Sequence, residues 1–212
     1  MTNFLYPFLD AEERDQDALL RDLAASATAK AAESAALRES TVDENRALIA
    51  AAAAEMARRF AAGGRMFAFG NGGSSTDVAT LVSLFARPVV GSPLPAWSLA
   101  ADQAVLTALG NDVGFDLVFA RQLIARAGPG DIAVAMSTSG SSRDLMAGFR
   151  EARTRRMYTV GFAGYDGGEF ATSSDVDVCF TVHSQSVHRI QEAQALVGYT
   201  LWAAVHEQLG AP

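Results

Sequence analysis

Apolar and polar positions along this chain follow two successive rhythms. From about residue 10 to residue 62, alanines and leucines recur every three or four positions between charges, the spacing of helices with one apolar face. Ser40-Thr41-Val42 interrupts that spacing, and Thr41 followed three residues later by Glu44 is a capping-box pattern. The reading is two helices, 10–38 and 41–62, the second stopped by Gly63 and Gly64. Beyond residue 63 the pattern changes to short continuous apolar runs at 66–69, 96–99, 132–136, 158–162 and 176–182, with helix-length segments between them. Runs of this kind belong to strands buried on both faces. The alternation predicts an α/β fold: a doubly wound, parallel five-stranded sheet in an α-β-α sandwich, preceded by an N-terminal helical arm. A last helix is expected over 187–209, ended by Gly210.

Two strand-to-helix junctions carry the candidate chemistry. The run at 66–69 feeds into Gly70-Asn71-Gly72-Gly73-Ser74-Ser75, ahead of a helix over 76–85. The run at 132–136 feeds into Ser137-Thr138-Ser139-Gly140-Ser141-Ser142, ahead of a helix over 143–153. A glycine- and serine-rich turn leaves N–H groups free at a helix N-terminus, where the helix dipole is positive, and so suits an anion such as phosphate. Small polar residues in tight βα turns also serve simply as N-caps. Two such turns opening at one edge of a parallel sheet favour the anion. The Lys-Ser/Thr that completes a P-loop is absent, as is the dinucleotide fingerprint.

Charge and cysteine content narrow the picture. With a net charge of −7 and no basic cluster in the sequence, direct nucleic-acid binding is not expected. Phosphate must then be held by backbone, hydroxyls and helix dipoles. The single cysteine, Cys179, falls in an apolar run and reads as a small buried hydrophobe in a reducing compartment. No apolar run has membrane-spanning length, and Met1-Thr2-Asn3-Phe4-Leu5 lacks the basic start of a secretory leader, so no membrane contact and a cytoplasmic location are expected.

Four segments together, Gly70 to Ser75, Leu106-Thr107-Ala108-Leu109-Gly110-Asn111-Asp112, Ser137 to Ser142 and Arg189-Ile190-Gln191-Glu192, resemble the SIS (sugar isomerase) domain. Within it they are similar to the sedoheptulose-7-phosphate (phosphoheptose) isomerase group, and the likeness runs in order along the whole chain. That group also includes initiator-associating members that bind proteins. The resemblance implies a sugar phosphate ligand, with Asn71, Gly72, Gly73 and Ser74 in the first ligand loop and Ser137, Thr138, Ser139 and Ser142 gripping the phosphate. It assigns Asn111 and Asp112 to the sugar chain and Gln191 to a ligand-facing position on the last helix. Read without it, the alternative for Asn111-Asp112 is a capping turn, and for Gln191-Glu192 a solvated helix start. The resemblance further implies an arm over 1–62 that joins subunits into a dimer or tetramer, a sugar-phosphate domain over 63–212, and pockets close to subunit contacts. Packing of the alanine faces against their own domain is the alternative.

The departures matter more than the matches. The resemblance puts a histidine and, four residues on, a glutamate on the helix after the first loop, and a second histidine eight residues after the glutamine. With the glutamine these form a zinc site in metal-containing members. This chain has Thr80, Leu84 and Tyr199 there. One amide oxygen cannot hold zinc, so no metal and no cofactor are expected. Leucine cannot take a proton, and a tyrosine with an ordinary pKa near 10 is a poor acid. Of the three histidines, His206 reads as surface or packing and His183 has no assigned role, whereas His188 stands three residues before Gln191. Two functions remain. One is a sugar-phosphate-binding sensor or interaction protein, with a protein partner as a further ligand class. The other is a ketose–aldose phosphate isomerase whose acid and base come from His188, Asp112 and Glu192.

Overall fold

The computed structural model describes residues 16–210, in two compact units that meet in sequence between Ala36 and Leu37. One helix, α1 (Gln16–Ala61), runs through both. The part of the expected first helix at 10–15 lies outside the described residues. In the first unit α1 exposes Leu19, Leu20 and Leu23.

The expected break at 40–42 does not occur. The Thr41 hydroxyl donates to the Leu37 carbonyl at 2.7 Å, and that of Ser40 donates to the same oxygen at 3.1 Å. Both hydroxyls bond back into the helix instead of capping a new one. Burial then decides the outcome, because Thr41 and Asn45 are buried and Asn45 Nδ2 bonds the Thr41 and Thr181 carbonyls at 2.8 and 3.4 Å. The buried face continues through Ile49, Ala52, Ala53, Met56, Ala57 and Phe60 into the core. Of the alanines spaced along this stretch, Ala57 is buried while Ala47, Ala50 and Ala54 are exposed.

All five expected strands form: β1 (Met66–Gly70), β2 (Ala96–Ser98), β3 (Ile132–Met136), β4 (Tyr158–Gly164) and β5 (Val178–Val182). They make one parallel sheet in the order β2-β1-β3-β4-β5, with Met66 paired to Ile132 and Ile132 to Tyr158. Side chains alternate between two cores. Ile132, Val134 and Met136 face one, together with α1, α2 (Gly72–Ala86) and α7 (Val187–Gln208). Ala133 and Ala135 face the other, with α4 (Val118–Arg126) and α5 (Arg143–Thr154). Both faces are dry, which is why these strands read as unbroken apolar runs.

The chain leaves β1 through α2 for β2 on one side. It leaves β3 through α5 for β4 on the other. The neighbouring strands β1 and β3 therefore form a topological switch point, and a crevice opens between their carboxyl ends. The remaining helices are α3 (Gln103–Asp112), which precedes a 3₁₀ turn at Phe115–Leu117, and α6 (Gly168–Thr172). No helix among the described residues is long and apolar enough to cross a membrane.

Candidate functional site

The two Gly/Ser loops are the segments that leave β1 and β3 at the switch point. Gly70 pairs with Met136 at the strand ends, and a Cβ on Gly70 would stand 2.9 Å from the Met136 carbonyl oxygen, so only glycine fits there. α2 begins at Gly72, four residues earlier than expected, because Gly72 takes φ +53 and turns the chain straight into the helix. Asn71, the N-cap, makes no side-chain bond to the first turn of α2. Its amide instead donates across the crevice to Asp144 Oδ2 at 2.8 Å, in the first turn of α5.

The second loop is built from its own hydroxyls. The buried Ser137 Oγ accepts the Gly140 N–H at 3.0 Å and lies 3.4 Å from Ser139 Oγ. Ser142, N-cap of α5, leaves the first-turn N–H groups without a side-chain cap. By contrast Asp102, at the start of α3, caps the Val105 N–H. The helices that begin at the two loops thus keep donors and positive potential facing the crevice. The loop is backed by the turn after β4. Phe170 N–H donates to the Gly140 carbonyl at 3.0 Å, and a Cβ on Gly140 would lie 2.2 Å from the Gly167 oxygen.

The start of α7 closes a third side. Gln191 Nε2 donates to Asp77 Oδ2 at 2.7 Å, and a Cβ on Gly73 would stand 2.7 Å from that same nitrogen. Gly73 is what lets α7 approach the first loop. Gln194, fully buried one turn on, donates to the Ser137 carbonyl at 2.8 Å, while its Oε1 has no partner. Partial burial raises the Asp77 pKa above its ordinary value, and the bond from Gln191 opposes that shift.

The structure therefore brings Asn71, Gly72, Gly73, Ser74, Ser137, Thr138, Ser139, Ser142 and Gln191 to one crevice. Asn111 and Asp112 lie at the exposed end of α3, where the Asn111 amide donates to Asp112 Oδ1 at 2.8 Å. An ion pair at 3.5 Å between Asp116, just beyond them, and Arg143 joins this segment to the first turn of α5. His188 is exposed in the first turn of α7, and Glu192 pairs with Arg38 at 3.5 Å. Thr80 is exposed and its hydroxyl bonds the Thr76 carbonyl at 3.1 Å. Tyr199 is half exposed, with its ring centroid 5.3 Å from that of Trp202. His206 is a packing residue, buried with its ring nitrogens 3.1 Å from the Trp202 and Ser92 carbonyls. Sequence reasoning missed Asp77, Asp144 and Gln194. For Asp144 the available signal was an acid in the first turn after the second loop, the position that a helix dipole favours. Asp77 lies beyond the first turn of α2, and no such signal marks it or Gln194.

A parallel sheet with paired Ser/Gly loops at its switch point is the architecture of an open α/β ligand-binding domain, and this chain belongs to the SIS domain family, whose model matches residues 31–164. Its relatives there are phosphoheptose isomerases. The one from Solidesulfovibrio magneticus is 41% identical over 179 residues, covering 84% of this chain and 86% of the relative. Among solved structures, the phosphoheptose isomerase of Francisella tularensis superposes with a TM-score of 0.80 at 27% identity, over 86% of this chain and 97% of its own. That of Neisseria gonorrhoeae gives 0.77 at 29% identity, over 89% and 99%.

Proposed function

We propose that this protein binds a sugar phosphate in the crevice between β1 and β3, with the phosphate on the 137–142 loop and the sugar chain toward Asn71, Asp112 and Gln191. The observation that carries this reading is the uncapped start of α5 behind a loop of four serines and a threonine. It supplies backbone donors, hydroxyls and dipole to an anion without a lysine or arginine field. The relatives named phosphoheptose isomerases make a seven-carbon ketose phosphate such as sedoheptulose 7-phosphate the first ligand to test.

The reading extends to chemistry. Moving a proton between C1 and C2 of a ketose needs a base and an acid beside those carbons. Thr80, Leu84 and Tyr199 offer a helix-bonded hydroxyl, a hydrocarbon and an exposed phenol. We infer a binding protein, a sensor or interaction module, that does not carry out the isomerisation. One observation favours the enzymatic alternative: Asp77, half-buried and bonded to Gln191, is a carboxylate in the crevice whose raised pKa suits proton transfer. His188, Asp112 and Glu192 would be its partners.

The phosphate assignment is tested by calorimetric titration with sedoheptulose 7-phosphate. Replacing Ser137 and Ser142 together by alanine should weaken binding by about 2–3 kcal/mol, roughly one charged-group hydrogen bond each. Unchanged affinity in the double variant would reject the assignment.

A further inference from the structure

A second cleft opens at the opposite, amino edge of the sheet, about 16 Å from the serine loop by the length of a strand. It encloses about 440 Å³ and is lined by Arg58, Arg59, Arg65 and Arg156, over the glycine turns at 63–64 and 128–130. Three of these arginines fall within eight residues at the end of α1 and the turn after it, and the fold brings Arg156 to them from the end of α5. The two turns are packed together so closely that a Cβ on Gly64 would stand 2.5 Å from the Gly130 oxygen, and Ala62, Pro129 and Asp131 complete the lining.

The charges do not cancel. Arg58 and Arg59 share one carboxylate, Glu55, whose pKa the Arg58 hydrogen bond in particular lowers to about 2. Arg65 is held on Asp131, whose two oxygens also accept the Arg65 and Gly128 N–H groups. Arg156 makes no ion pair with any described residue. Four guanidinium groups thus face two fully engaged carboxylates, in a chain whose net charge is −7.

Arg156 is also the wrong residue for its backbone. It follows the end of α5 at φ +60, with its N–H on the Arg153 carbonyl and the Met157 N–H on that of Ala152, both at 3.0 Å. That is a Schellman stop, whose left-handed position glycine occupies without strain. Compensation of helix dipoles accounts for Arg58 and Arg59 at the end of α1. It does not account for a strained arginine where glycine would serve. Strain of this kind is kept where a side chain has work to do.

We propose that this arginine cleft is a binding site for an oligophosphate, the chain of an inorganic polyphosphate or of a nucleotide triphosphate, separate from the sugar-phosphate crevice. The charge count and the volume of the cleft fit a short string of phosphates better than a single one. A nucleotide has one additional surface within reach. Arg65 also lines a neighbouring cavity of about 420 Å³, walled by Phe67, Arg126 and the half-exposed Trp97.

The test is calorimetry and thermal unfolding at low ionic strength, with sodium tripolyphosphate and with ATP as the two probes. The wild-type protein should bind tripolyphosphate and gain melting temperature with it. Equal affinity for ATP assigns the phosphate chain alone, and tighter binding that quenches Trp97 fluorescence in a Trp202→Phe background adds the base. Arg156→Gly should raise the melting temperature of the free protein, by roughly 2–4 °C, yet lower tripolyphosphate affinity at least tenfold. Ser137→Ala with Ser142→Ala should leave that affinity unchanged, separating this site from the crevice. Absence of binding to both probes at millimolar concentration overturns the proposal. So does an Arg156→Gly variant that binds like the wild type, or loss of tripolyphosphate binding in the serine variant.

Discussion

Single residues set how closely the pieces of the crevice can approach. Gly73 admits Gln191, Gly70 admits the β3 carbonyl, and Gly140, at φ +65, admits the turn after β4. Gly140→Ala is the sharpest of these changes, because the new Cβ would meet the Gly167 backbone oxygen at 2.2 Å in a left-handed conformation. The expected cost is about 2–4 kcal/mol of stability, from strain and displaced backbone together. Chemical denaturation should show it as a lower midpoint, with phosphosugar affinity falling in parallel; an unshifted midpoint would show that the loop is free to move. The glycines and serines of both loops were legible in the sequence because turn chemistry is local. Asp144 was not, because the bond from Asn71 to Asp144 joins residues that only the sheet topology makes neighbours. The same holds for Asp77, whose partner Gln191 stands on the last helix.

Elements were legible where burial imposes a simple pattern and illegible where it overrides one. Five dry strands announced themselves as apolar runs, and the helices after the two loops followed from their glycine and serine starts. α1 was misread at Thr41 because a capping-box pattern says nothing about a hydroxyl that packing turns back onto Leu37. The contact between α2 and α7 carries a prediction of its own. Asp77 has a folded-state pKa raised by burial above its ordinary value of 3.8. The folded protein therefore keeps this proton longer than the unfolded chain as pH rises. The stability contributed by the neutral carboxyl is complete below 3.8 and is lost as pH climbs through the raised value. Asp77→Asn removes the titration but leaves an oxygen for Gln191. Its melting temperature relative to wild type should be higher at pH 7 than at pH 3.5. A difference that is flat with pH, or larger in acid, would contradict the assignment of the shift to burial.

At the scale of the molecule, the two ends of the sheet present different chemistry: uncapped helix starts and hydroxyls at one, arginines at the other. The first unit is a helix with exposed Leu19, Leu20 and Leu23, and an isolated helix gains most of its stability from packing. We propose that these leucines meet a second copy of the chain. Sedimentation velocity at micromolar concentration should give a dimer or tetramer, and Leu20→Ser with Leu23→Ser should shift it toward monomer; a monomeric wild type would refute this. The central claim is that the crevice binds a ketose phosphate without moving its protons. Proton NMR of sedoheptulose 7-phosphate with the protein in D₂O tests it most directly, since an isomerase that forms an enediol exchanges or transfers the C1 proton. Broadened ligand signals, with C1 protons retained and no aldose formed over hours, are the predicted result. Deuterium appearing at C1, or steady accumulation of the aldose, would contradict the account and make the protein an isomerase with a relocated base.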